Sequence, residues 1–224
     1  MSKAFFIDTT RCTACRGCQV ACKEWHEFPA NHTTQLGWGS HQNPPDLNPW
    51  NYKVVRFNEH KAGGKVIWNF FPDQCRHCKD SPCQYGADET KKGMIVVDDA
   101  TGAVIITEEA RGLTKEQCDM CIDRVKANLL PICVKTCPTG TMNFGEREEM
   151  LALAKKRLAA VQKEHPQAQL LNADDVNVIY LISDKPEFYH RKLAVNHSSS
   201  AVSRRVALGG MKDMFRSGLR SFFG

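Results

Sequence analysis

The stretch Cys12-Thr13-Ala14-Cys15-Arg16-Gly17-Cys18-Gln19-Val20-Ala21-Cys22 carries four thiols, separated by two, two and three residues. Two-residue gaps let a turn point three sulfurs at three irons of one cubane cluster, while the fourth thiol, a further turn on, points away to a neighbouring cluster. A complementary half lies later in the chain, Cys118-x2-Cys121-x11-Cys133-x3-Cys137-Pro138, with an insertion before its third cysteine. Interleaving the halves completes two sites. One takes Cys12, Cys15, Cys18 and Cys137; the other takes Cys118, Cys121, Cys133 and Cys22. Such crossing ties the start of the chain to residue 137, so the clusters act as folding staples.

Three further cysteines, Cys75, Cys78 and Cys83, form a middle group, and together these account for all eleven in the 224-residue chain. The next position at ferredoxin spacing is Ala87, so this site is one thiolate short. Three outcomes are open: a three-iron cluster, a cubane whose fourth iron takes Asp88 or Glu89, or three free thiols. An odd count without a secretory signal argues against a disulfide scaffold. Zinc suits isolated Cys-x2-Cys pairs, but a closely spaced triple plus a Cys-Pro-ending partner group favours iron–sulfur. Cys75-Arg76-His77-Cys78 is not a haem attachment site, which needs His after the second cysteine.

Around these groups the pattern predicts an α+β fold of two interleaved bacterial-ferredoxin-like halves, with β-hairpin insertions and a C-terminal helix–strand extension. Residues 4–8 read as a strand, and 29–50 as a Pro-rich polar loop facing solvent or a partner. Runs 52–57 and 65–71 read as a hairpin through Gly63-Gly64, and 94–97 with 103–106 as another across Asp98–Gly102. Apolar residues at helical spacing over 146–164 predict an amphipathic helix ending at Pro166, and 176–182 a strand. The expected division is 1–145 iron–sulfur domain, 146–190 extension and 191–224 basic tail. In that tail a Ser198-Ser199-Ser200 linker precedes a helical candidate at 203–223, suited to solvent, a partner subunit or a membrane surface.

The segments Arg11–Cys18, Ser40–Asp46, Phe71–Cys78, Cys118–Arg124 and Cys137–Gly145 resemble the β subunit of tungsten- or molybdenum-dependent formate dehydrogenases of sulfate-reducing bacteria. The likeness covers most of residues 3–190. It implies three four-iron clusters and a relay of electrons from a large pterin-bound Mo/W catalytic subunit, where formate is oxidised, towards a c-type cytochrome. It also implies a further cysteine, in an Ala-Cys-Pro-Tyr context, completing the middle cluster. Here Glu108–Gln117 connects the second hairpin directly to Cys118, as though a stretch were deleted.

No nucleophile–base pair, pterin motif or Gly-x-Gly-x-x-Gly occurs, so the chain is expected to perform no substrate chemistry of its own. His26, His41, His60 and His77 are scattered and read as structural. Arg16, Lys23, Arg76 and Lys79 flank cysteines, where they either raise a cluster's potential or keep the surface soluble. The formal charge is +5, but the seven basic residues against Asp213 after position 190 supply all of it, which speaks against a nucleic-acid face. Three oxidised clusters would add about −6 and bring the whole near neutrality. No run of about 18 apolar residues exists to span a membrane. No apolar signal-peptide core precedes the cysteines, and relatives of this kind are exported with a signal-bearing partner, so the expected location is the periplasm, with the cytoplasm as alternative. Other roles compatible with the motifs are the wiring subunit of another Mo/W oxidoreductase, a free-standing polyferredoxin shuttle, or a zinc-stapled interaction module.

Overall fold

The structure is a computed structural model, and it describes residues 2–31, 41–115 and 117–190. The 191–224 tail, with its linker and helical candidate, lies outside the described residues. In chain order the elements are β1 (Lys3–Asp8), α1 (Gly17–Trp25), β2 (Val54–Ala62), β3 (Lys65–Asp73), α2 (Pro82–Asp88), β4 (Ile95–Asp98), β5 (Ala103–Ile106), α3 (Ile122–Lys126), α4 (Ile132–Lys135), β6 (Met142–Glu146), α5 (Arg147–Val161), β7 (Gln169–Leu171) and β8 (Val178–Ile182). No helix among the described residues is long and apolar enough to cross a membrane.

One sheet, ordered β6-β1-β8-β7, divides the molecule. β1 pairs antiparallel with β6 (Phe5 opposite Phe144) and parallel with β8 (Phe5 opposite Val178). Because successive side chains of a strand point to opposite faces, Phe6, Ile179 and Leu181 pack under α5 with Ala154, Met150 and Leu158. Phe5, Ile7, Val178, Tyr180 and Ile182 face the other way, into a core shared with Cys18, Cys133, Met120 and Phe71. The sheet is thus a wall with a helix on one side and thiols on the other. Residues 146–190 contribute β7, β8 and α5 to this wall, built on β1. Glu148 and Glu149 in the first turn of α5 suit the positive end of its dipole, and Arg157 ties the helix to buried Asp8 (Nε–Oδ2 2.9 Å).

Both expected hairpins form, β2–β3 and β4–β5. The 29–50 loop differs from expectation. Pro44 and Leu47 are buried, and Asp46 pairs with Arg56 (2.5 Å) and Lys115 (2.9 Å), so its second half packs on the chain itself. Polar composition predicted exposure because the sequence does not show that a buried arginine awaits the loop's carboxylate.

Gly102 closes the β4–β5 turn at φ +74°, and a Cβ there would stand 2.6 Å from Asn177 Nδ2. Gly102→Ala combines left-handed strain with that clash. The expected cost is about 2 kcal/mol, read as a fall of roughly 4–8 °C in anaerobic thermal unfolding of the holoprotein.

Candidate iron–sulfur centres

None of the eleven cysteines is joined in a disulfide. Their loops share a construction that spacing alone does not display. In three of the four Cys-x2-Cys loops the residue two places after the first cysteine has a left-handed backbone, Ala14 (φ 55°), His77 (φ 48°) and Met120 (φ 64°), whereas between Cys15 and Cys18 the left-handed residue is Arg16 (φ 61°). In those three loops the amide of that residue turns back on the cysteine. His77 N–H donates to Cys75 Sγ and Met120 N–H to Cys118 Sγ, each at 3.4 Å, and Ala14 N–H favours the Cys12 thiolate in the same way. Such a backbone costs about 1–3 kcal/mol at a residue with a side chain, and it recurs at all three loops.

The structure brings Cys12, Cys15, Cys18 and Cys137 around one cavity, with Thr139 and Met142 also in its lining. α1 carries Cys18 and Cys22 on successive turns, and α4, packed against it, carries Cys133. A second group lies there: Cys22 Sγ stands 3.8 Å from His26 Nδ1, and the His26, Asp119 and Cys121 ligand atoms lie within 4.8 Å of one another. The thiols of Cys22, Cys118, Cys121 and Cys133 are near enough to oppose one another's ionisation, as are Cys18 and Cys133 across the two groups. The partners within each set therefore come from two segments far apart in the chain, 12–22 and 118–137.

Electrostatics distinguish the thiols. Burial pushes Cys18 up to about 12 and raises Cys22 and Cys118 well above the ordinary thiol value. At Cys137 burial also opposes ionisation, but the amides of Met142, Thr139 and Thr141 and the Thr139 hydroxyl outweigh it and bring the thiol below its usual value. Buried thiols that are costly to ionise in isolation are a donor set for a cation, which takes the protons' place.

The separation of the sulfurs bears on which cation. Tetrahedral zinc with Zn–S near 2.3 Å holds its sulfurs roughly 3.8 Å apart. Among the described residues no trio of cysteine sulfurs lies within 4.8 Å of one another; the one group of metal-binding types that close is His26, Asp119 and Cys121. Among the described residues the thiols are thus not closed on a single tetrahedral ion. The residues fit a cluster better than zinc.

In the middle group, Cys75 follows β3, Cys78 bridges to Val176, and Cys83 lies in the first turn of α2, packed with Ala87, Ile95 and Val104. Asp88 Oδ1 accepts the Gly93 amide at 3.1 Å, and Glu89 is exposed at the end of α2. Two buried donors flank Cys75 without a partner among the described residues, Gln74 Nε2 and His77 Nε2. Bridging sulfides are acceptors that would satisfy them.

The flanking charges and histidines have specific places. Arg76 lies over the rings of Phe71 and Tyr180 and pairs with Asp73 (2.8 Å), so it is neither a surface solubiliser nor an unopposed charge. Arg16 lies over Phe57, and Lys23 donates to Asn31 Oδ1 and the Trp50 carbonyl, both at 3.1 Å. Lys79 has its amide bound to the Asp175 carbonyl. His41 meets the rings of Phe57 and Trp68, and His60 stacks on Phe188. His77 is fully buried; Nδ1 accepts the Val104 amide at 3.0 Å, which puts its proton on Nε2, and burial holds its pKa down to about 4. Burial works against a charge on His26, but the bond to Asp119 (3.2 Å) outweighs it and raises the pKa; the pair stands beside Cys22 and Cys121. Lys53, which no sequence motif singles out, is buried.

A family of 4Fe-4S dicluster domains matches residues 66–117 and 109–147. The chain is 55% identical over 215 aligned positions to formate dehydrogenase 2 subunit beta (cytochrome c-553) of Nitratidesulfovibrio vulgaris, covering 85% of this chain and 97% of that protein. It is 47% identical over 212 to formate dehydrogenase subunit beta of Megalodesulfovibrio gigas (85% and 98%). It is 33% identical over 215 to the iron–sulfur subunit of the nitrate-inducible formate dehydrogenase of Escherichia coli (84% and 71%).

Proposed function

Because the chain belongs to the family of formate dehydrogenase beta, or iron–sulfur, subunits, we propose that it relays electrons out of a formate dehydrogenase. In this reading it binds a large Mo/W-pterin catalytic subunit as a heterodimer, carries out no substrate chemistry itself, and delivers to an external acceptor such as a c-type cytochrome. The carrying observation is the crossed arrangement of eight thiols in two neighbouring sets drawn from residues 12–22 and 118–137. Cys12, Cys15, Cys18 and Cys137 would hold one [4Fe-4S] cluster, and Cys118, Cys121, Cys133 and Cys22 the other, as two interleaved ferredoxin-like halves. When bound, such a cluster accepts and returns one electron. The chain's own residues hold it by thiolate, stabilise its negative charge by amide donors, and exclude water with the sheet's Phe5–Ile182 face.

Cys75, Cys78 and Cys83 would hold a third cluster. The left-handed turn and N–H to Sγ bond of its Cys-x2-Cys loop, shared with the Cys118 loop, support this. Its fourth ligand is proposed to be other than cysteine in this chain. An alignment of 215 positions that takes up 85% of 224 residues has gaps on this chain's side, in keeping with a shortened Glu108–Gln117 connection. Location in the periplasm, by co-export with the catalytic subunit, rests on the family resemblance alone.

The test is iron and labile-sulfide counting, with electron paramagnetic resonance of the oxidised and reduced complex. About twelve irons per chain is the result for three cubanes, and about eleven with a signal in the oxidised state for a three-iron middle cluster. About eight would overturn the middle site. Formate-driven dye reduction by the complex, absent from this chain alone, tests the partner and substrate; isolation as a lone, stable monomer would overturn the subunit reading.

A further inference from the structure

Lys53 immediately precedes β2 and is 2% exposed. Its Nζ donates to Gln74 Oε1 at 2.5 Å, and Gln74 is itself 1% exposed. Among the described residues the ammonium pairs with no carboxylate. One neutral amide does not compensate a buried charge, whose desolvation is costly unless opposite charge stands close. Val55, two residues on and so on the same face of the extended chain, lines the cavity with Cys12, Cys15, Cys18 and Cys137 and shares a core with Cys18, Cys133 and Tyr180. Lys53 thus lies on the thiol side of the hairpin, and its electrostatic neighbours are the thiols of Cys133, Cys18 and Cys118 and the Tyr180 phenol. Those cysteines belong to both four-thiol sets. A cation placed against both, with no carboxylate of its own, has only the thiolates and what they bind to neutralise it.

We propose that Lys53 is the shared internal counter-ion of the two four-thiol sets, an electrostatic tuning residue that raises both reduction potentials together. The physical basis is Coulombic. Each reduction adds one negative charge to a site, and a fixed positive charge in a water-excluded interior favours that step. One residue facing two sites couples their potentials without touching substrate. The proposal rests on the reading that both sets hold clusters, so iron content and the paramagnetic signals of the unaltered complex are measured first, and their absence counts against that reading alone.

The experiment is an anaerobic redox titration, followed by paramagnetic resonance, of the holo-complex carrying Lys53→Met, which keeps the length and removes the charge. Both cubane potentials are expected to fall, each by at least a tenfold change in the oxidised-to-reduced ratio at fixed potential, about 59 mV for one electron. Lys53→Arg, which keeps the charge, is expected to stay close to the unaltered complex. Full iron content with unshifted potentials in Lys53→Met, or a shift confined to one cluster, overturns the proposal. Where Lys53→Met does not load iron, Gln74→Glu places a carboxylate on the lysine's own hydrogen-bond partner. It is expected to lower both potentials, and unshifted potentials there overturn the proposal equally.

Discussion

Cys22→Ser is expected to remove about four irons per chain from the holo-complex and to leave the cluster of its α1 neighbour Cys18 in place. The two thiols sit one helical turn apart, yet Cys18 lines the cavity with Cys12, Cys15 and Cys137, while Cys22 lies with Cys118, Cys121 and Cys133. A serine hydroxyl is a far poorer ligand than a thiolate, and this one is buried beside His26 and Asp119 as well as the other three thiols. Changes in the shell outside a metal's ligands cost about 10–100-fold, so loss of a ligand should reduce formate-to-cytochrome electron flow by about 100-fold or more. Reduction of a small dye that takes electrons from the catalytic subunit directly should change far less. Iron analysis, the number of paramagnetic centres and the two assays on one preparation check this. Loss of both clusters from Cys22→Ser, or loss of the Cys12–Cys15–Cys18–Cys137 cluster instead, would refute the crossed assignment.

The second large effect is on stability. Asp73, 4% exposed, stands between two guanidinium groups, Arg56 (Nε–Oδ2 2.5 Å) and Arg76 (NH1–Oδ1 2.8 Å), and Arg56 is also held by Asp46. Burial alone would raise the Asp73 pKa, but the two arginines outweigh it and keep the carboxyl below its ordinary value. Removing one partner of a buried pair strands the other charge, at a cost of about 3–5 kcal/mol. Asp73→Asn keeps the shape and some hydrogen bonds, so about 3 kcal/mol is expected, or roughly 6–12 °C in thermal unfolding. The pH dependence has a definite sign. A carboxyl whose folded pKa is depressed contributes stability in full above its unfolded value near 3.9, and loses it as pH falls through the folded value. The gap between the unaltered protein and Asp73→Asn should be constant from about pH 5 to 7 and shrink below about pH 4. A gap that grows on acidification would show that the carboxylate is not the stabilising form.

Asp73 also precedes Gln74 and Cys75, so its ion pairs anchor the end of β3 from which the middle cysteine loop departs. The Arg76 side chain spans the gap from Asp73 to Tyr180 on β8. The same network thus fixes the hairpin, the sheet and the middle loop in one relation.

Local pattern carried much of the fold. β1, the two hairpins, α5 and β8 were legible because alternation, Gly turns and helical spacing are properties of short windows. The strands Met142–Glu146 and Gln169–Leu171 were not legible. The first follows a cysteine group and contains Gly145, and the second has three residues; neither shows a period long enough to read. The parallel pairing of β1 with β8, some 170 residues apart, leaves no local trace at all.

By itself the sequence determined the chemistry of the thiols, because cubane ligation demands cysteines at short, stereotyped intervals that no ordinary core requires. It also revealed that the middle group lacks a cysteine, since a count needs no coordinates. The tertiary structure alone decided which charges meet those thiols. Lys53 reads in sequence as one polar residue in a β-rich run, and Arg76 as one more basic neighbour of a cysteine. Burial turns the first into a cation without a carboxylate between two thiol sets, and ion pairing turns the second into a strut. Electrostatic energy depends on distance and on the exclusion of water, and both arise only when residues far apart in the chain are folded against one another.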